Sequence, residues 1–442
     1  REEMNKLKFI HTADIHLGSF LHIGGDSLPP ALEKAIETAT LEAFSRICDV
    51  AISHNVDFVA ISGDLYDSEA RSVKAISYFI DQCKRLEKAN IHVFVIAGNH
   101  DPLRQRQELF KLPQNVKLLA GSQPEICELL DDNERPIARV IGQSYTNTRE
   151  QKKLHLDYRV ADNSIWNIAL LHTQLEAPKS NYIPCSVAEL KDIEDIHYWA
   201  LGHIHQPRIL NNSFPYIAYP GIPQGRDFGE QGRGGCMLVE LDPLEGGKIT
   251  FIPTAPVIYK RIDVYIDEDP DSLPQSLDDL EDMLTEHGKR LIEQDVEQDS
   301  YTIEGYVVEW ILRGRGGIHN QLKEQEQEFL EELTHRLRVE FEPVSPFLWT
   351  DSITLRTQPP IDYDSLMKDS LIAQELDNII NKCLEDQTMK KKLLKALGEI
   401  WSGDEDHESG KEYIFHMDQS TLEEMLWNAK DLILEKLVEG RE

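Results

Sequence analysis

Five short apolar runs in the first half of the chain each end in polar residues of the kind found in metal or acid–base sites. The run Ile91–Ala97 is apolar almost throughout and stops at Gly98-Asn-His-Asp101, which predicts a strand buried on both faces. The other four runs end in Asp14-Ile-His16, Gly63-Asp64-Leu-Tyr-Asp67, His172, and Gly202-His203-Ile-His205. Because ligands gather at the carboxyl ends of strands in open α/β sheets, we expect these side chains to share one site.

Two segments with helical periodicity lie between the first three of these predicted strands. Apolar residues recur at helical spacing from Ala31 to His54 and again from about Ser72 to Ala89. The resulting order of strand, helix, strand, helix and strand predicts a parallel sheet with right-handed crossovers. Further strands are predicted at about Val116–Leu119 and Ile137–Ile141, and in a hairpin that follows a glycine-rich loop and ends with Lys248–Pro253.

The part of the chain after Pro256 has a different organisation. Strands and helices alternate from Val257 to Thr357, which predicts a compact α+β unit with one helix over residues 318–338. From Asp362 to Leu437, helical periodicity recurs in Leu366–Ile380, Met389–Trp401 and Leu422–Leu437, and these amphipathic helices would either close the domain or bind a partner. The break at Gly403–Gly410 predicts a flexible loop. We therefore expect three domains, at residues 7–256, 257–360 and 361–442.

Charge and composition narrow the class of protein. The chain holds 46 basic and 78 acidic side chains, a formal net charge of −32, and most of the acidic excess lies after residue 250. That surface would repel a polyanion, so any DNA contact should fall in the first part or on a partner. No apolar run approaches the roughly 20 residues of a membrane span, and the first residues lack a signal peptide's apolar centre. We expect a cytoplasmic protein, with Met4 a candidate natural start, whose six scattered cysteines are reduced and mostly buried.

The donor types at the five strand ends indicate a pair of divalent cations. Carboxylate and amide oxygens mixed with imidazoles suit manganese, iron or zinc. One bridging carboxylate can hold two cations roughly 4 Å apart, and such a pair activates water and stabilises a phosphoryl transition state. Asp64, which follows a turn-forming glycine, is the candidate bridging ligand. Each motif alone is more often structural, so the prediction depends on all five occurring together.

In this order the five motifs resemble the calcineurin-like metallophosphoesterase superfamily, which implies a β-sandwich core flanked by helices. The resemblance implies that one metal ion binds Asp14, His16, Asp64 and His205, and that the second binds Asp64, Asn99, His172 and His203. His100 matches the histidine that faces the scissile phosphate in such enzymes. Within the superfamily, residues 7–257 resemble most the SbcD-type DNA-repair exonucleases, including the YhaO-like bacterial branch. That closer resemblance rests on three segments, Phe9–Gly18, Gly202–Pro207 and Tyr219–Leu241.

The closer resemblance implies an activity and a set of partners. Such proteins are manganese-dependent 3′ to 5′ exonucleases on duplex DNA and endonucleases on single strands. They act in DNA repair as homodimers, with an SbcC-type coiled-coil ABC ATPase that binds their C-terminal helices. Asp67 stands where many archaeal and eukaryotic relatives carry a histidine thought to assist the exonuclease reaction, whereas bacterial phosphoesterases often have aspartate there. We place Asp67 with His100 in the predicted catalytic set.

Other charged residues and two rival functions complete the sequence-based picture. The candidates for contacts with a phosphate backbone are Arg104, Arg106, Arg226 and Arg233. We interpret the histidines outside the array, His22, His54, His92, His155 and His197, as solvated or packed side chains. The rival functions are a phosphoesterase for nucleotides or cyclic nucleotides, which an acidic surface would tolerate, and a non-catalytic DNA-end-binding protein that regulates an ATPase.

Overall fold

The computed structural model describes residues 4–25, 28–67, 72–105, 111–131, 133–160, 162–177, 179–296, 303–342, 344–360, 371–397 and 419–439. The chain divides into two compact units, of which the first comprises Arg1–Arg313 with Glu324–Arg356 and the second Gly314–Lys323 with Thr357–Glu442. The strands are β1 (Leu7–Thr12), β2 (Phe58–Ser62), β3 (His92–Ile96), β4 (Val116–Leu118), β5 (Glu125–Leu130), β6 (Pro136–Gly142), β7 (Trp166–His172), β8 (Tyr198–Gly202), β9 (Arg208–Asn211), β10 (Tyr216–Tyr219), β11 (Gly235–Asp242), β12 (Gly246–Pro253), β13 (Val257–Tyr265), β14 (Gly305–Arg315) and β15 (Phe347–Gln358). The described helices are α1 (Pro30–Ser53), α2 (Val73–Lys88), α3 (Val187–Lys191), α4 (Leu277–Val296), α5 (Ile318–Glu324), α6 (Glu326–Phe341), α7 (Leu371–Glu385), α8 (Gln387–Leu397) and α9 (Gln419–Glu439).

Two six-stranded sheets form the centre of the first unit. Their strand orders are β12-β11-β1-β2-β3-β4 and β5-β6-β7-β8-β10-β9. In the first sheet β1 to β4 are parallel neighbours, which confirms the predicted parallel sheet. In the second, β6, β7, β8 and β10 are also parallel. Parallel neighbours end at the same edge, so β1, β2 and β3 deliver their last residues together, and so do β7 and β8.

The inner faces of the two sheets pack against each other through large apolar side chains. Phe9 of β1 stacks on Phe58 of β2 with ring centroids 4.7 Å apart. The same Phe9 ring meets the edge of Tyr198 from the second sheet at 5.1 Å, and all three residues are fully buried. Each such burial contributes about 1.5–3 kcal/mol, so this layer fixes the position of one sheet on the other.

Helices cover the outer faces of both sheets. The first sheet packs against α1 and α2, and the side chain of Ser72 caps α2 by accepting a hydrogen bond from the Ala75 backbone. The second sheet packs against α3 and a short helical turn at Leu154–Asp157, where Tyr158 stacks on Trp199. The predicted β-sandwich flanked by helices is confirmed.

A third sheet, β13-β14-β15, carries α4 and α6 and belongs mainly to the first unit. The prediction of one helix over 318–338 is wrong, because α5 ends at Glu324 and α6 begins at Glu326. The backbone leaves the helical region at Gln325, with φ −135 and ψ 44. No glycine or proline marks this break. Near its end, α6 packs closely on α4, because a Cβ atom added to Gly288 would lie only 2.5 Å from Phe341 Cζ.

The second unit contains α7, α8 and α9, close to the helices predicted from Leu366, Met389 and Leu422. The predicted flexible loop at Gly403–Gly410 lies outside the described residues. Among the described helices, none combines the length and apolar character needed to cross a membrane. All six cysteines are free thiols and five are buried, which confirms the prediction for them.

Candidate metal centre

The strand ends that the sequence singled out converge at one edge of the sandwich. Two groups of side chains place their potential ligand atoms within 4.8 Å of one another, the first formed by Asp14, His16 and His205 and the second by Asp64, His172 and His203. Asn99 Oδ1 joins the second group, 2.9 Å from His172 Nε2 and 3.1 Å from His203 Nδ1. The structure thus brings together all seven residues that the sequence predicted as metal ligands.

The loops that carry these ligands have an unusual backbone. Asp14, His16, Asp64 and His203 have φ values of 51°, 45°, 50° and 98°, in the left-handed region that residues with a side chain rarely adopt. The first two loops support each other, because Asp14 N donates to Gly63 O at 3.0 Å and His16 N donates to Asp64 O at 3.1 Å. Strained backbone of this kind persists where the surrounding structure holds it, and it clusters at functional sites.

Three of the histidines are oriented by an oxygen on their outer side. The Nδ1 atoms of His16, His172 and His205 lie 2.8 Å from Asp67 Oδ1, 2.9 Å from Ser62 O and 2.6 Å from Glu230 Oε1. Each ring therefore turns its Nε2 atom toward the centre, the arrangement by which proteins orient imidazole ligands. His16 Nε2 is buried and has no hydrogen-bond partner. Such an atom costs about 1–3 kcal/mol, a cost that a bound cation removes, so the residues fit a metal ion.

The electrostatics of the centre favour added positive charge. Asp14 and Asp64 are at most 1% exposed. Burial raises the pKa of Asp14, whereas for Asp64 the charge and hydrogen bond of His172 outweigh burial and lower the pKa. Burial would lower the pKa of His172, but the two carboxylates raise it to about 9, and burial lowers the pKa of His203 to about 3. Two carboxylates removed from water need compensation, and divalent cations provide it.

Asp67 links the centre to its exposed side. Its carboxylate accepts hydrogen bonds from Ser19 Oγ at 2.5 Å and from Arg226 Nη1 at 2.8 Å, besides the one from His16. His100 Nδ1 lies 3.0 Å from Asp67 Oδ1, and the His100 side chain is 48% exposed. Burial would raise the pKa of Asp67, but the hydrogen bonds from His100 and His16 hold it far below its ordinary value. The same bond to Asp67 raises the pKa of His100.

Glu230 is part of the site although the sequence analysis did not single it out. It orients His205 and also accepts from Arg226, whose Nη2 lies 2.8 Å from Glu230 Oε1. The Arg226 side chain is only 16% exposed and spans the gap between Asp67 and Glu230. The four-residue spacing of Arg226 and Glu230 in the glycine-rich loop was the available signal. Another residue that the sequence analysis missed is Tyr182, whose ring lies 4.5 Å from that of His203.

The other arginines predicted to contact DNA lie around this site or beyond the described residues. Arg104 is exposed and donates to Asn147 Oδ1 at 3.1 Å. Arg233 lies in the glycine-rich loop and is partly exposed, and Arg106 is outside the described residues. A role in DNA binding stays a prediction for all of them.

A cleft of about 840 Å³ opens beside the centre. Asp67, His100 and Arg226 line the cleft, and so do Phe20 and Lys74. The Phe20 ring is 59% exposed, which leaves an aromatic face available to a ligand. The cleft is large enough for a nucleotide-sized group, since ligand pockets typically span about 300–1,000 Å³.

Comparison with known proteins supports this interpretation of the site. The profile of the calcineurin-like phosphoesterase family matches residues 7–207. The uncharacterized metallophosphoesterase YhaO of Bacillus subtilis is 31% identical over 337 residues, which cover 74% of this chain and 80% of YhaO. The DNA double-strand break repair protein Mre11 of Archaeoglobus fulgidus is 27% identical over 51% of this chain and 52% of its own length. The SbcD component of the nuclease SbcCD from Staphylococcus epidermidis is 25% identical over 57% of this chain and 70% of its own length.

Proposed function

The chain belongs to the calcineurin-like metallophosphoesterases, a family of metal-dependent hydrolases, and on that premise we propose that it is a two-metal phosphodiesterase that cleaves DNA. The observation that carries this proposal is the pair of adjoining ligand groups, together with the open cleft that Asp67 and His100 line beside them. A phosphodiester in the cleft would reach the centre and His100 together. A domain order of nuclease core at 7–256, capping domain at 257–360 and helical partner-binding segment at 361–442 is part of the proposal.

In the proposed arrangement, Asp14, His16 and His205 hold one metal ion, and Asn99, His172 and His203 hold the other. Asp64 contributes an oxygen to both. Its buried carboxylate already lies 3.3 Å from His172 Nε2 and accepts a hydrogen bond from the His100 backbone at 2.9 Å. Two bound divalent ions would supply an activated water and stabilise the charge that develops on the phosphoryl oxygens. Manganese is the proposed ion because of the resemblance to SbcD-type nucleases, and the oxygen and imidazole donors, without a thiolate, are compatible with it.

His100 is the proposed group that meets the substrate. Asp67 anchors its Nδ1, which leaves Nε2 for the cleft. The hydrogen bond to Asp67 raises the pKa of His100, which favours the doubly protonated ring, and in that form Nε2 can donate to a phosphoryl oxygen or to the leaving oxygen. Asp67 acts through His100 and His16, so it is a positioning residue in this scheme.

DNA is the proposed substrate because of the cleft and because Mre11 and the SbcD component of SbcCD are similar to this chain. Phe20 and Lys74 offer a stacking surface and a cation to a nucleotide beside His100. We extend the proposal to exonuclease activity on duplex ends and endonuclease activity on single strands, in DNA repair. The strongly acidic composition is unfavourable for a DNA-binding protein, so the proposal includes a partner that binds the DNA.

The proposed partner is an SbcC-type ABC ATPase that contacts the C-terminal helices, in an assembly that contains two copies of this chain. Large apolar side chains are exposed on these helices, with Ile372 55% exposed on α7 and Leu432 56% exposed on α9. Amphipathic helices with an exposed apolar face commonly bind in a partner's groove. These exposed apolar side chains support the proposal that the C-terminal helices bind a partner.

Cleavage of end-labelled duplex and single-stranded DNA in the presence of Mn²⁺ tests the proposed activity. The His100→Ala variant should lose at least about 100-fold in rate while it keeps its metal, since general acid–base groups contribute about 10²–10⁴-fold. The matched control is His54→Ala, the same change at an exposed histidine at the end of α1, which should leave the rate unchanged. Equal rates for wild type and His100→Ala would remove His100 from its role.

Metal analysis and a substrate panel test the rest of the proposal. Asp64→Ala should bind fewer than two equivalents of manganese, and retention of both would contradict the bridging role. Hydrolysis of nucleotides or cyclic nucleotides with DNA left intact would assign the enzyme to small-molecule substrates instead. A metal-loaded wild type that cleaves none of these phosphodiesters would indicate a non-catalytic role in an ATPase complex.

A further inference from the structure

A second group of metal-binding side chains lies on the outer face of the second sheet. His155 is on the helical turn Leu154–Asp157, Cys185 precedes α3 and Glu189 lies within α3. A ring nitrogen, the thiol sulfur and a carboxylate oxygen from these residues lie within 4.8 Å of one another. The group shares no residue with the metal centre described above.

His155 is the residue that calls for an explanation. It is fully buried, and neither of its ring nitrogens has a hydrogen-bond partner. More than about nine in ten buried polar groups in proteins are hydrogen-bonded, and one left without a partner costs about 1–3 kcal/mol. The sequence analysis interpreted His155 as a solvated or packed side chain, but a packed histidine ordinarily has a hydrogen-bond partner for at least one ring nitrogen. A ligand between His155 and its two neighbours satisfies the ring.

The spacing of the donors suits a tetrahedral ion. His155 Nε2 lies 3.8 Å from Glu189 Oε2. In a zinc site with metal–nitrogen and metal–oxygen bonds near 2.1 Å, tetrahedral angles put the two ligand atoms about 3.4 Å apart. These two donors therefore need to approach by only about 0.4 Å, and Cys185, whose sulfur lies within 4.8 Å of a His155 nitrogen and a Glu189 oxygen, is the third ligand.

The carboxylate in this group is held in place from two sides. Glu189 Oε2 accepts from the Ser186 backbone at 3.0 Å in a capping box at the start of α3. Lys153 Nζ contacts the other oxygen, Oε1, and its side chain is 44% exposed. Because solvent screens the charge of Lys153, the main effect of this lysine is to hold the Glu189 carboxylate in position. The other oxygen, Oε2, remains directed toward His155.

We propose that His155, Cys185 and Glu189 bind one zinc ion, with a water molecule as the fourth ligand. The Cys185 thiol releases its proton to solvent on binding, and the thiolate, imidazole and carboxylate complete the set. A thiolate selects zinc over manganese and magnesium, so the site is filled by a different metal from the one proposed for the catalytic centre.

The bound zinc ion would stabilise the segment Tyr182–Cys185, which contacts the metal centre through Tyr182. Cys185 lies three residues after Tyr182, the aromatic neighbour of His203. Between them, Ile183 N donates to Glu150 O at 2.7 Å and Ile183 O accepts from Thr173 Oγ1 at 2.6 Å. Thr173 follows His172 directly. The ion would fasten the turn that bears His155 to this segment, which is a structural role.

Cobalt spectroscopy of the full chain tests this site separately from the catalytic one. Co²⁺ replaces zinc, and a cobalt–thiolate bond adds an intense near-ultraviolet charge-transfer band that oxygen and nitrogen ligands do not produce. Metal-free wild type titrated with Co²⁺ should develop this band with the intensity of one cobalt–thiolate bond per chain, whatever Co²⁺ the catalytic centre also binds, and Zn²⁺ should abolish it. The band should persist in Asp64→Ala, which alters the proposed catalytic centre, and in Cys127→Ser, which removes a partly exposed thiol elsewhere.

The band should be absent from Cys185→Ser and from His155→Ala. Glu189→Gln keeps the thiolate and the helix cap, so it should show the band but bind Co²⁺ at least about tenfold more weakly, a change typical of an impaired site. Circular dichroism of each variant shows that it is folded. A wild type that saturates with Co²⁺ without the band, or a band that survives Cys185→Ser, would overturn the proposal and leave a buried water in the site.

Discussion

The loop after β3 packs very closely against Asp64, and this packing makes Gly98→Ala a sharp test of the site. A Cβ atom on Gly98 would lie 2.1 Å from Asp64 Oδ1, 2.6 Å from Asp64 N and 2.8 Å from Asp64 Cγ. All three distances are far below van der Waals contact. The added methyl group therefore has to displace either the Asp64 carboxylate or the loop that carries Asn99 and His100.

The size of the displacement follows from these distances. Ordinary carbon–oxygen contact begins near 3.3 Å, so one of the two groups has to move by about 1 Å. Asp64 cannot turn aside freely, because its side chain is 1% exposed and its Oδ1 accepts from His100 N at 2.9 Å. A misplacement of about 1 Å can lower a rate by about 10²-fold. The overpacking itself should cost about 1–3 kcal/mol of folding stability.

Three measurements decide the Gly98→Ala prediction. We expect kcat/KM for a small chromogenic phosphodiester with Mn²⁺ to fall about 100-fold, bound manganese to fall below two equivalents, and the protein to show a folded baseline and a cooperative transition in thermal unfolding. Gly317→Ala is the matched control, because a Cβ there meets nothing within 4 Å, and it should behave as wild type. A Gly98→Ala protein with full metal content and activity within threefold of wild type would refute the reasoning.

Three further predictions concern the residues around the site. Glu230→Ala removes the oxygen that orients His205, so metal affinity measured by competition with a chromogenic chelator should fall about 10–100-fold, and an unchanged affinity would contradict that role. Phe20→Ala should raise KM for single-stranded DNA about 5- to 150-fold, the effect of one lost stacking contact, and leave turnover of a small phosphodiester unchanged. His11 is fully buried and its pKa is lowered from 6.5 to about 3 by burial, so below pH 6.5 the unfolded chain takes up a proton that the folded chain cannot. Lowering the pH from 7 to 5 should therefore reduce the free energy of unfolding through His11 by about 2 kcal/mol, and urea unfolding of His11→Gln should show a correspondingly weaker pH dependence.

Much of the site was readable from local sequence. A buried strand in a parallel sheet is a short apolar run, and the polar residues after it lie at the sheet edge whatever the rest of the chain does. For this reason the sequence alone predicts that Asp14, Asp64 and His172 share one site. The positive φ of Gly63, 97°, likewise agrees with the turn that its position before Asp64 predicted.

Contacts between residues of distant loops could not be predicted from the local sequence pattern. Glu230 reaches His205 from a loop 25 residues later, and Arg226 reaches Asp67 across 159 residues. An arginine in a glycine-rich loop is compatible with a solvated, phosphate-binding or ion-paired side chain. Only the packing of the loop against the centre shows that this guanidinium lies between two carboxylates.

Hydrophobic periodicity and strand-end chemistry are local properties, so the sequence by itself determined a parallel sheet with crossover helices and the strand ends that carry the candidate ligands, while the family resemblance added the sandwich core and the two ligand sets. Tertiary structure alone decided which way each imidazole faces, that Glu230 and Arg226 join the site, and that His155 meets Cys185 and Glu189. These features depend on side chains that approach from separate elements. Their distances are set by the packing of two sheets and several loops, which no single stretch of sequence encodes.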